Sequence, residues 1–426
     1  MLGKLTGETW NERRRVLENR ATTQAFMNIF FHAVGLALAA LAAGAQTLAP
    51  GTESTVTLPL SGAQLKVFLP SNYTPETKWP AVFFYPGQGG KPSTGFIRQH
   101  TAERDYIVVG VPYVTPDSNQ PQPDFAAREL PVFRAARQWL AAHASVDETR
   151  VYLGGISKGG WTTSLLGEPE LPRLAGLIIV LAGRSFPFTT APGAAAYRGK
   201  PIYIGDGETD NNMRPARQAT TFFQTRGAAV TFEEYAGLGH ATPPTASRLR
   251  VWLETQNRFH TRDAAALAEL GGWFTNALAG ARAASESSEK FRLALELVRD
   301  PRLWLCPPPA GAQAQALLQE ATARSPAKEE WNAETTYWSL LWKCTSLHTP
   351  DELRTTRDAF KKLSEENAAS RWGRLAAEDY RFLSDAFDRT AAAKAASTTN
   401  FTTRSGVNNR GIPVPRMSGN KIIFDR

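Results

Sequence analysis

Val151-Tyr152-Leu153-Gly154-Gly155-Ile156-Ser157-Lys158-Gly159-Gly160-Trp161 is an apolar run that ends in Gly-x-Ser-x-Gly and leads into a helix-compatible segment. That form is a nucleophile elbow, a sharp strand-to-helix turn that lifts a serine hydroxyl above the end of a sheet. The turn predicts a strained backbone at Ser157. It also needs small residues at Gly155 and Gly159, where strand and helix come close. The helix that starts there aims free N–H groups at the space above the serine, where an anion is stabilised. A Gly-rich structural turn is the competing reading, because Gly-x-Ser-x-Gly also arises by chance. The strand before it and the helix after it favour a catalytic serine.

Outward from this stretch, strand and helix signals alternate. Thr55 to Leu60 and Gln64 to Leu69 read as two strands joined at Ser61-Gly62. Trp79 to Tyr85 and Tyr106 to Val111 are continuous apolar runs, as buried strands are. Residues 115–124 are polar and Pro-rich, hence loop. Leu130, Val132, Phe133, Ala136, Trp139 and Leu140 recur at helical spacing. Val151 to Leu153, Ala175 to Leu181, Pro201 to Ile204 and Ala229 to Tyr235 complete the strands, with helices over Arg214 to Thr225 and Ala246 to Thr255. This alternation predicts an α/β fold, a mostly parallel sheet with helices on both faces. Ligands then bind outside the carboxyl ends of the strands. Pro86–Gly90, Gly155–Gly159 and Gly239-His240 all follow strands and so belong at that edge.

The composition changes near Arg262, and from there to about Ser397 the signals are helical only. Thr349-Pro350-Asp351-Glu352 is a capping box with proline at the first helical position, and Ser325-Pro326 opens another helix. Trp331, Trp338, Leu341 and Trp342 share a face of that second helix. Six of the eleven tryptophans (273, 304, 331, 338, 342 and 372) fall in this region. A stacking platform for sugars is one use of them, but tryptophans at helical spacing more often build core. The predicted organisation is a targeting segment over 1–45, a sheet domain over 52–258, an all-α domain over 262–397 and an irregular tail over 398–426. Lys421 to Phe424 reads as a short docked strand.

At 426 residues, with 42% hydrophobic and 21% charged residues, the chain has the composition of a globular protein. Its net charge of +8 is spread without a dense basic run, which excludes nucleic acid as the expected partner. Near the N-terminus Arg13, Arg14, Arg15 and Arg20 precede an apolar stretch, Asn28 to Leu41, and Ala43-Gly44-Ala45 forms a small-x-small cleavage pattern. An exported protein, periplasmic or extracellular, is therefore expected. The apolar stretch is short for a membrane span, so membrane contact is expected only if the segment stays uncleaved. Met27 offers an alternative start, although no Lys or Arg would then precede the apolar core. In an exported chain the two cysteines, Cys306 and Cys344, predict one disulfide, with two buried thiols as the competing reading.

A serine hydroxyl needs a base, and the base needs a carboxylate to orient it. Of six histidines, His240 alone follows a strand, sits in a Gly-containing loop and comes late in the sheet region. The acid should lie between serine and histidine, where Pro201 to Ile204 runs into Gly205-Asp206-Gly207-Glu208-Thr209-Asp210. Asp206, Glu208 and Asp210 compete, and the losing acids are expected to be solvated loop residues or N-caps. An oxyanion needs two preorganised N–H donors. The amide of Lys158, just after the nucleophile, is one.

Over roughly residues 52–258 the chain resembles the α/β-hydrolase superfamily. The Ser-x-Gly-Gly elbow is similar to those of its dienelactone-hydrolase, polyester-depolymerase and prolyl-oligopeptidase-like branches. In that superfamily the strand before the acid leads into Gly-x-x-Asp. Gly207-Glu208-Thr209-Asp210 matches, so the resemblance implies Asp210 as the acid and Asp206 as runner-up. It also implies the amide of Gln88 as the second oxyanion donor, from Pro86-Gly87-Gln88-Gly89, where Pro86 replaces the family's usual histidine. The helical half resembles no family.

The expectation is an exported serine hydrolase acting on carboxylic esters, with no metal or cofactor. Residues 183–200 leave little room for a cap domain, which suits an ester on a larger molecule, such as a polymer or a decorated polysaccharide, and the partner expected is an ester-bearing small molecule or polymer. The alternatives are a serine peptidase of the prolyl-oligopeptidase-like branch, and a non-catalytic envelope binding or scaffold protein on a hydrolase fold.

Overall fold

The computed structural model describes residues 48–115, 125–185, 192–323, 326–344, 347 and 349–397, and the backbone of 415–418 and 421–424. The predicted targeting segment and most of the predicted tail lie outside these residues. The described residues from Ala49 onward form one compact unit.

Among the described residues, eight strands form one sheet in the order β1-β2-β4-β3-β5-β6-β7-β8. They are β1 (Glu53–Thr57), β2 (Gln64–Phe68), β3 (Trp79–Tyr85), β4 (Ile107–Gly110), β5 (Val146–Ile156), β6 (Gly176–Val180), β7 (Pro201–Gly207) and β8 (Ala229–Tyr235). β2 runs antiparallel to both of its neighbours, and all the other pairings are parallel. The β1–β2 turn closes through Leu58 and Ala63, and Gly62 supplies its positive φ of 67°. Every residue of β3, β4 and β6 is buried. That is why they read as unbroken apolar runs: both faces of the sheet are covered.

The covering helices are α1 (Gly95–Thr101), α2 (Phe125–His143), α3 (Lys158–Glu170), α4 (Met213–Thr225) and α5 (Arg248–Arg258). On one face Val82, Phe84, Val108, Tyr152, Ile178, Val180 and Tyr203 pack with Ile97 of α1 and Leu249, Trp252 and Leu253 of α5. The alternate residues point the other way: Phe83 meets Phe133 of α2 edge-on at 5.5 Å. Tyr106 crosses from the sheet to α5, donating its hydroxyl to the Leu253 carbonyl at 2.7 Å.

β5 begins at Val146, five residues before the apolar run. Asp147 to Arg150 is polar, and the register with β3 jumps from Trp79↔Val146 to Ala81↔Val151 across it. A sequence pattern that looks for buried strand cannot see this irregular entry. β7 runs three residues beyond the predicted Ile204 and carries Asp206 into the core. α1 was not predicted, and one side of it is buried through Ile97 and His100.

After the sheet, the described residues form six helices: α6 (Ala264–Ala283), α7 (Ser287–Arg299), α8 (Pro308–Ala321), α9 (Ala327–Lys343), α10 (Pro350–Glu366) and α11 (Arg371–Ser397). The capping box at Thr349 forms, with Thr349 and Glu352 each accepting from the other's backbone N–H. Leu270 packs with Phe259 and Ala266 at the junction after α5. α6 to α8 enclose a core of Phe274, Leu278, Leu297, Leu317 and Leu318. α9 to α11 enclose a second, with Tyr337, Leu341, Phe360, Leu363 and Trp372. Trp338 packs against that second core and meets Phe232 of β8 at 5.7 Å. β8 is an edge strand of the sheet. Among the tryptophans, Trp372 is buried and Trp304 is half exposed. Lys421–Phe424 does form a strand, paired antiparallel with a strand over Pro415–Ser418.

The predicted disulfide is not formed, and both cysteines are free. Cys306 packs beside the α6–α8 core and Cys344 beside the α9–α11 core. Each sulfur therefore fills a gap in a different helical layer and behaves as a small apolar side chain. Burial raises the pKa of both thiols, that of Cys344 to about 11.

Candidate active site

The strand β5 ends at Ile156, and α3 begins at Lys158, leaving one residue for the turn. Ser157 adopts φ 55°, ψ −118°, a left-handed conformation that costs a non-glycine residue roughly 1–3 kcal/mol. Two backbone bonds hold it there. Its N–H donates to the Val180 carbonyl at 2.8 Å, and its carbonyl accepts from Trp161 N–H at 3.1 Å. The elbow glycines have specific causes. A Cβ on Gly155 would collide with the Gly159 carbonyl, and one on Gly159 with the Tyr85 carbonyl. A Cβ on Gly160 would lie 2.6 Å from Ala182 Cβ.

Ser157, His240 and Asp210 come together in one line. Ser157 Oγ lies 2.8 Å from His240 Nε2, and His240 Nδ1 lies 2.6 Å from Asp210 Oδ2. A carboxylate only accepts, so Nδ1 carries the proton and Nε2 is left to accept from the serine hydroxyl. The Asp210 side chain is 2% exposed and the His240 side chain 47% exposed. The line therefore runs from the interior to a solvent-accessible mouth.

The loops that carry acid and base are stitched to each other beyond the ends of β7 and β8. Glu208 N–H donates to the Tyr235 carbonyl at 3.1 Å, and Thr209 N–H to the Leu238 carbonyl at 2.9 Å. The Glu208 carboxylate accepts from Gly237 N–H at 2.9 Å. Gly207 passes so close to Gly239 that no side chain fits. Asp210 itself closes a turn: its Oδ1 accepts from Asn212 N–H at 3.0 Å, and the Asn212 amide donates to the Leu181 carbonyl at 2.9 Å. The three side chains singled out in the sequence, Ser157, Asp210 and His240, are the ones brought together here, whereas Glu208 and Asn212 were missed as loop braces. Their only signal was a run of acids and amides in one turn.

The loop after β3 reaches the elbow. Gly87 and Gly90 bracket a turn, with Gly90 N–H donating to the Gly87 carbonyl at 3.1 Å, and Gly89 has φ 68°. A Cβ on Gly87 would touch Ser157 Cβ at 3.7 Å, so Gln88, the next residue, is at the edge of the site. Lys158 is the first residue of α3, at the helix N-terminus. Tyr113, beyond β4, ties these parts together. Its hydroxyl donates to the Pro86 carbonyl at 2.8 Å, and Lys158 Nζ lies 4.5 Å from the centre of its ring.

Of the two competing acids, one matches expectation and the other does not. Glu208 is exposed, as predicted, but Asp206 is not a solvated loop residue. It is the penultimate residue of β7 and fully buried. Its Oδ1 accepts from Gly207 N–H at 2.8 Å, and its Oδ2 has no protein partner among the described residues.

No protein-family model matches the chain, and no curated protein matches it in sequence. Among solved structures it is similar to a thermostable esterase at 21% identity, over 43% of this chain and 54% of that one, with TM-score 0.33. The chain thus spans about half the length of that protein. It is also similar to a thermostable esterase from Pseudomonas putida ECU1011 at 20% identity, over 47% of this chain and 78% of that one, with TM-score 0.37. A carboxylesterase from Mesorhizobium loti is similar at 15% identity, over 47% of this chain and 98% of that one, with TM-score 0.39. The mostly parallel eight-stranded sheet, the elbow after β5, and an acid and a histidine on the loops after β7 and β8 make this an α/β-hydrolase fold followed by a helical region.

Proposed function

We propose that the chain is a serine hydrolase that cleaves carboxylic esters through an acyl-enzyme intermediate. The observation that carries this reading is the line from Ser157 Oγ through the His240 imidazole to the Asp210 carboxylate, with spacings of 2.8 and 2.6 Å. In the proposed reaction His240 Nε2 takes the serine proton as Oγ attacks the acyl carbon. Asp210 holds the imidazole in the required tautomer and stabilises it when charged. The amides of Lys158 and Gln88 receive the developing oxyanion. His240 then returns its proton to the departing alcohol, and a water activated by the same base releases the acid.

The half-exposed histidine supports a substrate that docks from solvent, either a small ester or an ester group on a polymer. Export belongs to the same proposal and rests on the apolar segment and small-x-small pattern near the N-terminus.

The test is fluorophosphonate labelling, which needs an activated serine, followed by rates on nitrophenyl esters and aminoacyl nitroanilides. Labelling and ester turnover are expected in the parent protein. Both should vanish in Ser157→Ala, with rate falling by several orders of magnitude. Turnover of nitroanilides in preference to esters would make it a peptidase, and labelling that persists in Ser157→Ala would refute the nucleophile.

A further inference from the structure

Asp206 at the end of β7 and Asp210 on the turn that follows carry two carboxyl groups, and among the described residues Asp206 has no basic partner at hydrogen-bonding distance. Its Oδ1 is taken by Gly207 N–H, its Oδ2 has no protein partner among the described residues, and the residue is fully buried. The turn that Asp210 N–H closes on the Gly207 carbonyl at 3.0 Å folds the Asp210 carboxyl back toward that of Asp206. Asp210 already accepts from Asn212 N–H on Oδ1 and from His240 Nδ1 on Oδ2.

Two ionised carboxylates in such contact repel each other, and a buried one without compensation is strongly disfavoured. A shared proton removes both costs and turns the second acid into a donor.

On the reading of Ser157, Asp210 and His240 as a triad, we propose that Asp206 is a positioning residue that keeps its proton and donates it in a hydrogen bond to the Asp210 carboxylate. It fixes the side chain that orients His240 and never touches substrate. The surroundings fit a neutral acid. From α4, Arg217 faces Asp206, but its Nε is 3.0 Å from Glu234 Oε1. From β8 come Glu234, which lies opposite Asp206 in the strand register, and the Tyr235 phenol, which bonds to the Tyr203 hydroxyl at 2.9 Å. Across Asp210 lies His240. Burial, reinforced by the bond to Asp210 and by its charge, pushes the Asp206 pKa up to about 9.

Ionisation of Asp206 would place a second negative charge against Asp210 and remove its donor. Asp210 would then be pushed off Nδ1, and the imidazole would lose its orientation. An asparagine at this position can still donate to Asp210 and accept from Gly207 N–H, but it does not titrate.

The experiment is the pH dependence of kcat/KM for a nitrophenyl ester from pH 6 to 10.5, in the parent protein and in Asp206→Asn, with melting followed from pH 4 to 9. The parent is expected to lose activity above about pH 9, and Asp206→Asn to stay within about tenfold at pH 7 and keep its plateau to pH 10. Folding supplies a separate readout. A carboxyl whose folded pKa is raised gives stability that is full below the unfolded value, near 4, and is lost as pH rises to the folded value. Asp206→Asn should therefore gain in melting temperature relative to the parent as pH climbs from 4 to 9. A parent profile without the alkaline fall, or an identical fall in Asp206→Asn, overturns the proposal. Loss of activity in Asp206→Asn as deep as in Ser157→Ala overturns it as well, because it would make the Asp206 charge essential. Activity surviving in Ser157→Ala would instead overturn the triad.

Discussion

Asp379 of α11 holds Arg214 of α4 and Tyr337 of α9 at the same time. One carboxylate oxygen pairs with Arg214 Nε, and the other accepts the Tyr337 hydroxyl at 2.9 Å. The Asp379 side chain is 3% exposed, and the Arg214 guanidinium lies 3.8 Å from the centre of the Phe382 ring. Arg214 sits in the first turn of α4, four residues after Asp210. The helical region is therefore bolted to the element that begins where the acid loop ends. A second bolt lies beside it, where Glu234 of β8 pairs with both Arg217 of α4 and Arg371 of α11.

Removing Asp379 leaves a largely buried guanidinium and a buried phenol without their acceptor. Such a loss typically costs about 3–5 kcal/mol. Asp379→Ala is expected to unfold at correspondingly lower denaturant concentration, and to lose ester turnover in parallel as α4 loosens below Asp210. An unchanged urea midpoint would show that the helices rest on the sheet without bracing it.

The elbow glycines give a sharper steric test. In Gly159→Ala the new methyl meets the Tyr85 carbonyl and lies 2.7 Å from the Pro86 carbonyl, both backbone atoms at the end of β3. Nothing flexible can yield, so a loss of about 3 kcal/mol or more is expected, together with loss of activity. Gly272 of α6 has open space where its Cβ would be. Gly272→Ala should stabilise by roughly 0.5–1 kcal/mol, because alanine is the better helix former. Thermal melts of the two variants should move in opposite directions.

What the sequence made legible follows from period and punctuation. β3, β4 and β6 announce themselves because strands covered on both faces are apolar throughout. Ser157 and His240 announce themselves because glycine marks the turns that carry them. Asp206 was misread for the opposite reason. Its neighbours Gly205 and Gly207 look like loop, yet they are glycines because Tyr235, Tyr203 and the His240 loop crowd β7 from either side. The bolts at Asp379 and Glu234 were invisible, since partners far apart in the chain, 165 positions for Arg214 and Asp379, carry no local pattern. The disulfide expectation rested on compartment alone, and the packing of Cys306 and Cys344 in separate cores overrules it.

That packing can be counted. Unfolding in denaturant without reductant should release two thiols per chain to a thiol reagent. The native protein should react slowly, because burial raises both thiols and holds Cys344 near 11. A count of zero in the unfolded, unreduced protein would restore the bridge.

His100 sets an acid limit on stability. Its ring is buried against Phe96 at 5.0 Å, its Nδ1 is 3.4 Å from Ser247 Oγ, and its Nε2 has no partner among the described residues. Burial, with the Arg250 charge adding, lowers its pKa to about 4. The unfolded chain binds this proton near pH 6.5, so the stability is full above that value and is lost as pH falls towards 4. Relative to His100→Gln, the parent should lose up to about 3 kcal/mol between pH 7 and 4. A difference that stays constant over that range would place the acid sensitivity elsewhere.

The last prediction separates orientation from stability at Asp210. The carboxylate accepts from two N–H groups, His240 Nδ1–H and the Asn212 amide. An asparagine keeps the size and one acceptor, so the turn to Asn212 can survive and the fold should hold. Its amide nitrogen cannot accept from Nδ1–H, and when it faces the imidazole it favours the proton on Nε2, the atom that must receive the serine proton. The base is then disabled although nothing has moved. Asp210→Asn is expected to lower kcat by up to about 10⁴ near neutral pH and to shift the melting temperature by only about 2–4 °C, the equivalent of roughly 1 kcal/mol. If the variant instead keeps turnover within about tenfold of the parent, the imidazole is oriented by some other group, and the Asp210–His240 bond is structural.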